Sequence, residues 1–109
     1  MEFQARQGDI FFRTINEDNL PKTLKKKKDN IIAHGEVTGH AHKIISPNIA
    51  DMESLIDENG DIYVLSKHEP IIITHDEHNQ ITLPPNNWIC ITRQREYDPV
   101  AAEARTVLD

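Results

Sequence analysis

Two short stretches, GEVTGHAHKI (residues 35–44) and HDEHN (residues 75–79), together hold His40, His42, His75 and His78, four of the chain's six histidines. His40 and His42 are separated by one residue. On a β-strand, side chains two apart point to the same face, about 7 Å apart along the chain. Two imidazoles so placed can converge on one cation, and metal–nitrogen bonds of about 2 Å suit zinc, iron, nickel or manganese. His75 and His78 lie three apart, and in a tight turn such residues can bind one ion together. Asp76 and Glu77 stand between them and provide a carboxylate ligand, a general base, or a partner that orients an imidazole. Spacing alone leaves open a polar strand face for HAH and a solvated turn for HDEH.

The geometry of the first stretch depends on its turn. With Thr38-Gly39 as a two-residue hairpin loop, Val37 pairs with His40, Glu36 with Ala41 and Gly35 with His42. His34 then pairs with Lys43 and faces away from His40 and His42, unless a bulge at Gly35 reverses it. In WICITRQREY, Ile89, Ile91, Arg93, Arg95 and Tyr97 share one face. Arg93 and Arg95 can bind an anionic group through the guanidinium fork, with Tyr97 donating to the same group. A surface ladder of ion pairs is the plainer alternative.

The elements that must carry these residues read as β throughout. QGDIFFRTI is a strand entered through a Gly-Asp turn, with Ile10, Phe12 and Thr14 on one face. Residues 30–37 and 40–45 form the next two strands. Residues 52–57 read as a strand or a helical turn, followed by Asn59-Gly60, a strong hairpin signal, and a return strand at 62–66. EPIIITH is a β-branched strand buried on both faces, QITLP another, and residues 87–97 the last. Asp98 and Pro99 read as the cap and first turn of a short C-terminal helix over 98–109, with Val100, Ala104 and Leu108 on one stripe. The charged segment 16–30 reads as a mobile loop. About eight strands with short turns predict an all-β, mainly antiparallel single domain over 1–109: a small barrel or a jelly-roll-like sandwich.

Composition narrows the function classes. A chain of 109 residues suits one core. Net charge is -6, which argues against nucleic acid, and the basic run KTLKKKKD is local. Cys90 is the one cysteine, so no intramolecular disulfide or cysteine-rich zinc cluster forms, and it reads as an inert buried thiol. No apolar run is long enough to span a membrane, and MEFQARQGD lacks the apolar core of a signal peptide. A cytoplasmic protein is expected.

The blocks GEVTGHAHKI, HDEHNQITLPPNNW and RQREYDP together resemble a family of small, largely uncharacterised proteins of bacteria and bacteriophages. The similarity runs over nearly the whole chain: an N-terminal QGD strand, a GEVTGHAH block, an HEEH-like block, an LPPG-like turn and a QREY end. It implies common descent and names no activity. Gly35, His40 and His42 also resemble the opening of the first cupin motif, in which a glycine precedes HxH on a strand. The pattern then departs. Ser46 and Pro47 stand where that superfamily places a glutamate ligand, and LPPNNWICI holds no histidine. On the cupin resemblance, the remaining ligands must come from His75, His78 or Glu77.

The favoured expectation is therefore a metal-dependent hydrolase. His40, His42, His75 and His78 hold the ion, Glu77 or Asp76 moves the proton, and Arg93, Arg95 and Tyr97 receive a small phosphate-bearing or nucleotide-like substrate. A non-haem iron oxygenase is a second metal chemistry. Two alternatives stand beside it: a non-catalytic binding module using the terminal helix and residues 22–28, and a metal-free pair of histidines acting as acid and base on a phosphodiester. Small barrels with a protruding helix often pair, so a homodimer is one option.

Overall fold

Alternation of apolar and polar residues assigns each strand its inward face. A computed structural model describes residues 2–34 and 40–93. In β2 (Ile10–Ile15), Ile10 and Phe12 are buried while Phe11 and Arg13 are exposed, the period of two that a half-buried strand requires. β8 (Ile71–Thr74) repeats the pattern: Ile71 and Ile73 are buried and Ile72 and Thr74 only partly so. Burial on both faces was expected there, but the β-branched run faces the core on one side only.

Ten strands are assigned among the described residues, and all pair antiparallel. β1 (Gln4–Gln7), β2, β10 (Trp88–Arg93), β7 (Ile62–Leu65), β6 (Glu53–Ile56) and β3 (Lys25–Lys26) form one sheet in that spatial order. β4 (Ile31–His34), β5 (Ala41–Ser46), β8 and β9 (Ile81–Leu83) form the second. Facing side chains from both sheets build one core, including Phe12, Ile44, Val64, Ile73, Leu83 and Ile91.

The architecture is the sandwich of the two sequence-based options, and the barrel is not formed. Where β1 approaches the second sheet, the gap is bridged by a side chain rather than a backbone ladder: Gln7 donates to the carbonyl oxygens of Ile73 and Asn79. The Asn59-Gly60 hairpin is present, with Gly60 at φ 90° and β6 paired to β7. Cys90 is a free, buried thiol, and burial raises its pKa.

Three local expectations change. First, β1 and β3 exceed the expected eight strands. The expected Gly-Asp turn before Ile10 is present, with Gly8 at φ 64°, and it joins β1 to β2 in a hairpin. Second, residues 16–30 are not simply a loop. They contain a 3-10 turn at Glu17–Asn19, and Lys25 and Lys26 pair with Ile56 and Leu55. The amide of Lys27 then donates to Ser54 O at 2.8 Å. Backbone pairing needs no apolar alternation, and lysines suit an edge strand because they deter further pairing. Third, His34 pairs with Ala41 and Ala33 with His42, a register two residues away from the predicted one. Residues 35–39, including the proposed Thr38-Gly39 turn, lie outside the described residues, as do Arg95, Tyr97 and the predicted helix.

Ile73 is fully buried at the centre of the core, so Ile73→Ala should cost about 2–5 kcal/mol through lost burial and a residual cavity. Urea unfolding would show a lower midpoint at unchanged slope.

Candidate functional site

Four loops and strand ends meet at one edge of the sandwich. β5 supplies His42, His40 immediately precedes β5, His75 immediately follows β8, and His78 lies in the loop to β9. The predicted convergence of the HAH and HDEH stretches is present. Ring centroids of His42 and His75 are 4.3 Å apart, those of His75 and His78 4.7 Å, those of His40 and His75 5.9 Å, and those of His42 and His78 6.1 Å. His75 is the hub, although strand parity singled out His40 and His42. His34 is exposed and pairs with Ala41 while His42 pairs with Ala33, so parity sets His34 on the opposite face, as expected.

The chemistry of the site is set by two hydrogen bonds. The Gln7 amide nitrogen donates to Ile73 O at 3.2 Å and to Asn79 O at 2.8 Å. Both its hydrogens are thereby committed, which orients the amide and leaves Oε1 facing His42 Nδ1 at 2.7 Å. An amide oxygen can only accept, so Nδ1 carries the hydrogen and His42 Nε2 keeps its lone pair. His75 is the opposite tautomer. Its Nδ1 accepts the Glu77 amide at 3.0 Å, so its hydrogen resides on Nε2. Gln7 and His42 are each 2% exposed. Burial pushes His42 down from its ordinary pKa to about 4; the neighbouring His75 and His78 reinforce that shift and Asp9 opposes it.

The β1–β2 turn completes the arrangement. Gly8 has positive φ, and a side chain there would place its Cβ 2.8 Å from His78 Nε2. Only glycine lets the turn lie against that imidazole without displacing it. Asp9 Oδ1 is 3.8 Å from His42 Nε2, and its other oxygen accepts from Arg93 Nε at 2.8 Å. Partial burial alone would raise the Asp9 pKa, but the Arg93 hydrogen bond and charge outweigh it and hold the carboxyl below its ordinary value. Arg93 also donates through Nη2 to His34 O at 2.8 Å. It is thus tied into the edge of the cluster, 46% exposed at its side chain.

Asp76 and Glu77 stand beside His40. Asp76 Oδ2 is 3.7 Å from its Nε2 and Glu77 Oε2 is 3.5 Å from its Nδ1. That Nδ1 is shielded from solvent and lacks a hydrogen-bond partner, because Glu77 is not aligned to bond it. Sequence reasoning missed Gln7 and Asp9. A signal existed in QGD, a polar-Gly-acid turn ahead of an apolar strand, but nothing local connects it to cluster histidines 31 or more positions away.

The fold and site define an antiparallel β-sandwich with a histidine cluster between its sheets at one edge. The chain belongs to the family described as Domain of unknown function (DUF8820), whose model matches residues 6–94. No curated protein and no solved structure matches it. Among the described residues, no helix is long and apolar enough to cross a membrane.

The depressed His42 pKa gives stability a pH dependence. Above its ordinary value near 6.5, both folded and unfolded states hold a neutral imidazole. Below it the unfolded chain takes up a proton that the folded chain refuses, so stability falls until the folded ring protonates near pH 4. The total loss should be about 3 kcal/mol. Denaturation at stepped pH should show this slope, and His42→Gln should remove that component of it.

Proposed function

We propose that the cluster binds one divalent transition-metal ion, and that the loaded protein hydrolyses a small phosphate-bearing substrate. The observation that carries this reading is the His42 tautomer. A buried amide commits Nδ1–H, so the Nε2 lone pair faces a pocket of further imidazoles. An imidazole that donates through one nitrogen and offers the other is the usual state of a metal ligand with an outer partner.

The fit is partial in the arrangement described. Among the described residues, no group of three His, Cys, Asp or Glu side chains is already set to hold an ion. His75 offers N–H rather than a lone pair. His42 and His78 would therefore hold the ion, with the exposed His78 moving towards the fixed His42 and His40 as a further imidazole at the rim. A bound ion would supply an acidified water and charge for a phosphoryl oxygen. His75 Nε2–H can donate to an anionic oxygen, and Asp76 or Glu77, both exposed, can pass a proton to solvent. Arg93 has N–H groups beyond the two already committed, which suit a phosphate. Arg95 and Tyr97, the other anion-binding residues expected from the sequence, lie outside the described residues.

Metal analysis after exposure to zinc, iron(II), nickel and manganese should find about one equivalent bound, and His42→Ala with His78→Ala should leave less than about a tenth. Phosphoester hydrolysis should vanish on chelation and return with metal. Wild-type protein that binds none of the four ions would overturn the reading. The opposed tautomers of His42 and His75 favour one rival, acid–base catalysis without metal. Its mark would be activity that survives chelation and has a bell-shaped pH profile.

A further inference from the structure

From the β1–β2 turn we infer that Asp9 is a direct carboxylate ligand of the ion, making the donor set His42, His78 and Asp9. The inference rests on the metal-binding reading above and adds its oxygen donor.

The first observation is the encounter between Asp9 and His42. Asp9 Oδ1 and His42 Nε2 face each other at 3.8 Å, and both are acceptors. Nε2 is one because Gln7 holds the hydrogen on Nδ1. The carboxylate cannot turn away freely, because its second oxygen is bonded to Arg93, which is itself fastened to the His34 carbonyl. Opposed lone pairs repel, and a cation between them converts the repulsion into two bonds. Bonds of about 2.0–2.2 Å at a tetrahedral ion leave their donor atoms roughly 3.4 Å apart. The 3.8 Å separation closes to that value with a shift of a few tenths of an ångström.

The second observation is independent. The adjacent Gly8 has no side chain where a Cβ would lie 2.8 Å from His78 Nε2 and 3.4 Å from His42 Cε1. The turn that carries Asp9 therefore lies against both imidazoles. Two nitrogens with one carboxylate oxygen suit iron(II), manganese(II) or zinc(II), and are poorly matched to a soft ion such as copper(I).

Cobalt(II) is the probe, titrated into the full chain and followed by its visible absorption. Asp9→Asn should weaken cobalt binding at least about 10-fold relative to wild type. Asp9→Cys should bind cobalt and show a sulfur-to-metal charge-transfer band, which a residue outside the coordination sphere does not produce. Circular dichroism establishes that each variant is folded, and the cysteine variant carries the test where the asparagine variant is not. If wild type binds cobalt and Asp9→Asn binds it equally well, or loaded Asp9→Cys lacks the band, this inference falls and the histidine site stands. If wild type binds no cobalt, both fall.

Discussion

The buried amide of Gln7 is the interaction on which the site depends. It reaches from the last residue of β1 to two carbonyls of the opposing sheet region and to the imidazole of His42. A buried primary amide left unsatisfied would cost on the order of 1–3 kcal/mol. Here its nitrogen and oxygen are all engaged, and that completeness gives the amide one orientation. One orientation of the amide means one tautomer of His42. The same bonds join the two sheets at an edge where, among the described residues, no ladder does so, so the fold and the polarity of the site share one fastening.

Neutrality of His42 follows from its place. A second imidazole 4.3 Å away and a third beyond it make an added proton costly, and burial removes the water that would stabilise it. Asp9 pulls the other way but is partly neutralised by Arg93. The arrangement thus keeps an unprotonated nitrogen next to a carboxylate, a balance that neither residue would hold alone. Carboxylates around the rim, Asp76 and Glu77, lie beside His40 and leave the deeper His42 to Gln7 and Asp9.

The residue types and their periods revealed the sheets but not the partners. Strand β2 and the Asn59-Gly60 hairpin were legible because alternation and turn chemistry are local properties. Strand β3 was not, because Lys25 and Lys26 pair through their backbones and leave no apolar mark. The β4–β5 register was misplaced by two residues, because it hung on a turn whose length the glycine alone could not determine. Parity still placed His34 correctly, since a shift of two preserves the face. HAH and HDEH met as expected because both lie at strand ends. Gln7 and Asp9 went unnoticed because a glutamine in QARQGD looks like any surface glutamine until the opposite sheet covers it.

Such a site exists only once both sheets have packed. Gln7 meets His42 across 35 positions, Ile73 across 66 and Asn79 across 72. Contacts of that separation must overcome a large loop-closure entropy before they return any stability, and they form late or together in a sandwich. The tautomer of His42 is accordingly a property of the assembled fold, and no short segment of the chain would possess it. A ligand that needs that Nε2 lone pair would bind the folded state in preference to the unfolded one and stabilise it. The buried polar groups of this edge pack less apolar surface than isoleucine or leucine would, so hydrogen bonds must offset their desolvation. The apolar core between the sheets, which includes Val64, Ile73 and Ile91, carries the sheets that hold the edge together.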